Sequence, residues 1–112
     1  MELYLTIKGQ VEAEHEAAFK EMFNYMLGGK TGAPLENFVQ KTFPMAEANL
    51  EKALDVFEEF YSTPNLETYE LKQGQAKLSF MGGRDLESAS LYLVAWLEDC
   101  GLRDVEQDSQ WI

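Results

Sequence analysis

The sequence predicts an α+β fold, and three observations carry that expectation. Leu3, Leu5 and Ile7 alternate with Tyr4, Thr6 and Lys8, the period of two of a strand with one buried face. Phe19, Met22, Phe23, Met26 and Leu27 recur at the i, i+3, i+4, i+7, i+8 spacing of a helix with one apolar stripe. Residues 67–73 and 75–81 are two strand-like runs separated by little more than Gly74, as in a tight hairpin.

The elements follow in order. The first strand loses its apolar alternation at Gly9, and the period changes to that of a helix from Glu12, with Glu12, Glu14 and Glu16 complementing the positive end of its dipole. Gly28 and Gly29 end that helix. Residues 28–34 are loop-like, and residues 35–41 read as irregular chain with at most one helical turn. A second helix starts near Phe43 and Pro44, since proline suits a first turn. Its stripe runs through Leu50, Ala53, Leu54, Phe57, Phe60 and Tyr61 and is stopped by Ser62, Thr63, Pro64 and Asn65. After the hairpin, Gly82 and Gly83 break the strand and Asp85 is placed to cap a third helix. That helix buries Leu86, Ala89, Leu93, Trp96, Leu97 and Cys100, and Gly101 followed by Leu102 is a Schellman-type stop. Residues 103–112, with Val105, Trp111 and Ile112, supply a short last strand. Trp111 reads as an anchor that holds the tail to the body.

The order is β-α-[α]-β-β-α-β: a ferredoxin-like βαββαβ sandwich with one inserted helix near residues 44–61, forming a single domain over residues 1–112. In that topology the first and third strands are central. Polarity agrees, because residues 3–7 and 76–80 are the apolar strands, whereas residues 67–73 and 104–110 carry the charge that protects sheet edges. The face away from the helices carries Tyr4, Thr6, Lys8, Lys77, Ser79 and Met81.

Composition limits the chemistry. One cysteine excludes an internal disulfide framework and a multi-cysteine zinc site, and one histidine leaves little for a His-based metal centre. No metal, cofactor or catalytic residue is therefore expected. There is no basic, then apolar, N-terminal leader and no run of ~18 apolar residues, so a cytoplasmic protein is expected. Residues 29–31 resemble the end of a phosphate-binding loop, but position 24 is Asn24 rather than glycine, and the segment follows a helix instead of opening one. Gly82, Gly83 and Arg84 do stand between strand and helix, yet Asp85 and Glu87 at that helix start repel an anion. Cys100 falls on an apolar stripe, and His15 lies between Glu14 and Glu16 off any stripe.

Charge is the remaining signal. The chain has 20 Asp and Glu against 9 Lys and Arg, a net −11, which repels nucleic-acid backbones and anionic membranes alike. Glu47, Glu51, Asp55 and Glu59 form an i, i+4 ladder with Glu58 beside it, and Lys52 is the only base between residues 45 and 66. Glu98, Asp99, Asp104, Glu106 and Asp108 form a second acidic group relieved only by Arg103. Like charges at i, i+4 cost ~0.2–0.5 kcal/mol per pair, and anions in a last helical turn another ~0.3–1 kcal/mol each. A helix selected for stability alone would carry lysine there.

These ten carboxylates predict a non-catalytic binding protein, of inhibitor or immunity type, that docks on a basic protein partner such as a nuclease-like or nucleic-acid-binding protein. Along a helix they repeat every ~6 Å, close to the phosphate spacing of a nucleic-acid strand. An acidic face that serves only solubility accounts for the same pattern. A different class, a homodimeric ligand-sensing or assembly domain, would pair through Tyr4, Thr6, Ser79 and Met81. A small enzyme with carboxylate acid and base is a third, but no two of the 20 acids are singled out.

Overall fold

The computed structural model describes all 112 residues. The chain forms β1 (Leu3–Gln10), α1 (Glu16–Met26), α2 (Ala33–Thr42), α3 (Glu47–Glu59), β2 (Leu66–Lys72), β3 (Gln75–Gly82), α4 (Arg84–Asp99) and β4 (Arg103–Trp111), with short 3₁₀ turns ahead of α1 and α3. It is an α+β structure with four α-helices and one four-stranded antiparallel sheet, in the order β2-β3-β1-β4.

β1 and β3 are the central strands because they have buried apolar residues to spend on a covered face. Leu3, Leu5 and Ile7 alternate with exposed or half-exposed neighbours, and Ala76, Leu78 and Phe80 do the same. The hairpin between β2 and β3 turns through Gln73 and Gly74, both at positive φ (52° and 77°), the backbone a two-residue type I′ turn requires. β4 fills nearly all of the segment 103–112 expected to hold it, nine residues along the whole of β1, and Glu2 and Ile112 exchange backbone hydrogen bonds of 3.1 and 2.8 Å beyond its end. Trp111 is thus held in the sheet opposite Leu3.

Two helices, not one, are inserted between α1 and β2. The segment read as irregular is α2, a ten-residue helix. Its own apolar stripe is only Leu35 and Val39, both buried. Aromatic packing supplied from elsewhere completes it: Phe38 stacks at 5.6 Å on Tyr25, and Phe43, just past the helix, at 5.5 Å on Phe19. Short-range periodicity contains no trace of those partners.

α1 and α4 cover the sheet, while α2 packs on α1 and α3 packs on α4. All 25 buried apolar side chains form one core cluster. α3 runs antiparallel to α4 and is tied to it at both ends. Asn49 Nδ2 donates to Asp99 Oδ2 at 2.6 Å, and Ser62 Oγ donates to Asp85 Oδ2 at 2.6 Å. No helix covers the face bearing Tyr4, Thr6, Lys8, Lys77, Ser79 and Met81. No helix is long and apolar enough to cross a membrane.

α3 and α4 end in the same motif with different residues at its critical position. In α4 the Leu102 N–H donates to the Leu97 carbonyl and the Gly101 N–H to that of Glu98, with Gly101 at φ 110°. In α3 the Ser62 N–H donates to the Phe57 carbonyl and the Tyr61 N–H to that of Glu58, with Tyr61 at φ 56°. Glycine is the usual occupant of this left-handed position, and another residue pays roughly 1–2 kcal/mol there. Tyr61 recovers none of it through packing, because it is 98% exposed. Phe60 and Tyr61 accordingly do not extend the apolar stripe of α3: the helix stops at Glu59 and both rings face solvent.

The α4 stop also dictates a residue in the sheet. It turns Leu102 inward against β1, where a Cβ on Gly9 would lie 2.5 Å from Leu102 Cγ. Both residues are buried, and the β1–β4 register shifts beside Gly9, between Lys8 and Gln10. Gly9→Ala is expected to lower the unfolding free energy by about 1–3 kcal/mol, as overpacking does. In urea titrations the Gly9→Ala/Leu102→Ala double variant should lose less than the two single losses combined.

Candidate functional site

The groups with reactive potential are largely occupied in holding the fold. Cys100 is buried, and burial, with a smaller contribution from the neighbouring Asp99 carboxylate, pushes its thiol well above the usual range; its Sγ lies 4.0 Å from Met22 Sδ. A thiol held protonated is a poor nucleophile. Glu12, Glu14 and His15 place three donor atoms within 4.8 Å of one another, the one grouping that could hold a metal ion, but Glu12 is engaged by Arg103 at 3.7 Å. The chain leaves α1 at Leu27, already extended at ψ 133°, and Gly28 and Gly29, both at positive φ, make the tight turn that follows, closed by the Gly29 N–H donating to the Met26 carbonyl at 3.1 Å, so the segment that resembles a phosphate motif is a turn leaving a helix.

Asp85 caps α4, though not from the cap position, which Gly83 occupies. It sits one turn-residue inside the helix and bends back, its Oδ1 accepting the Gly83 and Leu86 N–H groups at 2.8 Å each while Oδ2 accepts from Ser62. Burial works to raise its pKa, but the Ser62 hydroxyl and the Gly83 and Leu86 amides together outweigh it and hold the carboxyl below its usual 3.8.

The ten acidic residues divide into three sets. The first is on α3. At about 100° per residue, Glu47, Glu51, Asp55, Glu58 and Glu59 occupy one continuous flank of the helix. Asn49, which faces α4, lies roughly 160° around from Glu51, so the acidic flank points away from α4. Four of the five are exposed and Glu47 is half-buried. Glu98 and Asp99 form the second set at the end of α4. They diverge by about 100°, and Asp99 is engaged by Asn49 on the opposite side of α3 from the ladder. The third set is on β4. Glu106 and Asp108 stand in register with Lys8 and Thr6 on the helix-free face, and Asp104, at φ 51°, lies where the register shifts. Together with Glu70, Asp104 and Glu106 share a groove of about 530 Å³ with Lys8, Lys72 and Lys77. The ten carboxylates therefore comprise a ladder of five on α3, with the other five divided between the end of α4 and β4.

No ladder carboxylate is neutralised by contact. The only ion pair within 4.0 Å in the molecule is Arg103–Glu12, so Lys52 neutralises none of its neighbours by contact. α3 has no basic residue in its last turn, where Glu58 and Glu59 sit at the negative end of the dipole.

A second feature adjoins this flank and has no periodic signature. An open cleft of about 500 Å³ lies between the loop following α1 and the C-terminal end of α3, lined by residues that include Thr31, Leu54, Glu58, Tyr61, Thr63 and Pro64, with the Tyr61 ring projecting into solvent. The one cue to it in the sequence is an aromatic residue, Tyr61, standing where a helix stop favours glycine, and helical spacing alone assigns that residue to the apolar stripe.

A scan against protein-family models, a search of curated proteins and a search of solved structures each returned no match.

Asp85→Asn is expected to lower stability at pH 7 by about 1 kcal/mol, a modest value because the carboxylate is partly solvated. A carboxyl depressed on folding stabilises fully above its unfolded pKa and loses that contribution as pH falls through its folded value. The gap between wild type and variant should therefore be constant above about pH 5 and narrow as the solution is acidified toward about pH 2, as followed by chemical denaturation.

Proposed function

We propose that the protein is a binding module, with no chemistry of its own, that docks through the outward flank of α3 on a basic protein surface. The observation that carries this reading is the ladder itself: Glu47, Glu51, Asp55, Glu58 and Glu59 share one flank, and none is within ion-pair distance of Lys or Arg. The accumulated like-charge and dipole cost is on the order of 1–3 kcal/mol. A complementary surface would offset that cost and would be drawn in by the field of a body carrying −11.

The repeat of ~6 Å between carboxylates fits a partner built to hold phosphates, such as a nuclease-like or nucleic-acid-binding protein that this module would block. The arrangement of the strands, with β1 and β3 central and an α2–α3 insertion, fits a ferredoxin-like scaffold. A scaffold of that kind hosts many functions and adds nothing to the choice of partner. Glu98, Asp99, Asp104, Glu106 and Asp108 are left outside the docking site, since they face other directions or share space with lysines.

A second reading is pairing of two copies through the helix-free face. It is favoured by Tyr4, 38% exposed and in register with half-buried Met81 at the centre of that face. Lys8 directly opposite Lys77 weighs against it, because like charges across strands repel and stacking two such faces concentrates them.

The test is kinetic. A basic protein retained from the native lysate at low salt and released at high salt supplies the partner. Glu51→Lys/Asp55→Lys should then slow its association at least about tenfold at low ionic strength while leaving dissociation nearly unchanged. An unaltered association rate overturns the proposal, and a salt-insensitive homodimer in light scattering favours the sheet face instead.

A further inference from the structure

We infer that the cleft at the C-terminal end of α3 is the seat for one arginine side chain of the basic partner, held between the Tyr61 ring and the Glu58 carboxylate. The inference rests on the reading of α3 as the docking flank and adds to it a specific anchor.

Three independent features converge on the cleft. Its lining combines half-buried Leu54 and the Tyr61 ring with one charged group, Glu58, so it offers apolar surface for an alkyl stem and a terminus for a cation. Lys30, on the adjoining loop, does not line it and makes no ion pair with Glu58. Charge complementarity is reinforced by the helix end, where Glu59 follows Glu58, no base is present in the last turn, and the dipole is negative.

The third feature is Tyr61. Its hydroxyl makes no hydrogen bond within the protein, its ring is almost wholly in solvent, and its backbone is held in the left-handed position that α4 gives to Gly101. Folding gains nothing from an aromatic side chain there. A cation at the cleft mouth does, because a guanidinium lies flat on a tyrosine ring while its N–H fork meets a carboxylate. Lysine, a compact and strongly hydrated charge, satisfies only the second of these contacts. The cleft volume accommodates a single long side chain and its hydration, not a folded element.

A hexa-arginine peptide titrated into ¹⁵N-labelled protein at low salt tests this. Amide shifts should be largest at Thr31, Gly32, Tyr61 and Ser62 and should saturate, and hexa-lysine should bind several-fold more weakly at the same residues. Tyr61→Phe should bind as wild type. Tyr61→Gly should raise the thermal midpoint, since glycine relieves the backbone, yet weaken hexa-arginine binding about fivefold or more. Glu58→Gln should weaken it comparably, and more than Glu47→Gln, which removes the same charge far from the cleft. With the thermal midpoint of Tyr61→Gly at or above that of wild type, a loss of binding there is not unfolding. Shifts confined to Glu47, Glu51 and Asp55, with Tyr61→Gly binding like wild type, would overturn the anchor while leaving the acidic flank in place. Absence of shifts anywhere on α3 would remove both.

Discussion

The antiparallel packing of α3 on α4 is the constraint from which the surface of this protein follows. Apolar burial of Leu50, Ala53 and Phe57 brings α3 into the core, but apolar contact alone tolerates sliding and rotation. The hydrogen bonds Asn49–Asp99 and Ser62–Asp85, one at each end, fix both register and azimuth. Once the azimuth is fixed, Glu47, Glu51, Asp55, Glu58 and Glu59 can only face outward, and the stop after Glu59 can only deliver Tyr61 to the cleft beside the loop that follows α1. Asp85 serves twice, as the cap that accepts the first amides of α4 and as the acceptor that holds the turn beyond α3. Loosening it would release the end of α3 where the proposed anchor sits.

The electrostatics of the three acidic sets differ in kind, although their residues do not. On β4, carboxylates stand across the sheet from lysines, a mixed-charge surface of the sort that keeps an edge strand from pairing with other chains. At the end of α4, Asp99 accepts a hydrogen bond that ties two helices, a structural task. On α3 the ladder carboxylates make no ion pair, even with Lys52 on the same helix, and no side-chain hydrogen bond, and two stand at the end of the helix where the dipole opposes them. Uncompensated charge at such a place is a property of the isolated molecule that association can relieve. The strained, solvent-exposed Tyr61 at the end of the same helix is a second property of that kind.

Much of the fold was legible in the sequence because the relevant signals are local. The alternation at Leu3, Leu5 and Ile7, the tight hairpin around Gly74 and the Schellman stop at Gly101–Leu102 each depend on a few neighbouring residues and stand where expected, although the hairpin turn takes in Gln73, which the pattern assigns to the strand. α2 was not legible, since its two buried side chains are too few for a periodic signal and its aromatic partners Phe19 and Tyr25 come from α1. The pattern of β4 is almost wholly polar and says little about its length, which is imposed by pairing along all of β1. Asp85 was recognised as a capping residue but assigned to the wrong position, because a carboxylate can reach back to Gly83 from inside the first turn.

The candidate site divides along the same line. Helical spacing by itself placed five carboxylates on one flank of α3, because the angle between residues i and i+4 is a property of the backbone. It could not tell that Glu98 and Asp99 diverge, that Glu106 and Asp108 face the other side of the sheet, or that Phe60 and Tyr61 leave the apolar stripe. Those facts depend on how each element is rotated against its neighbours, and rotation is set by contacts between residues far apart in the chain. Periodicity determined which residues travel together; packing decided which way each group points.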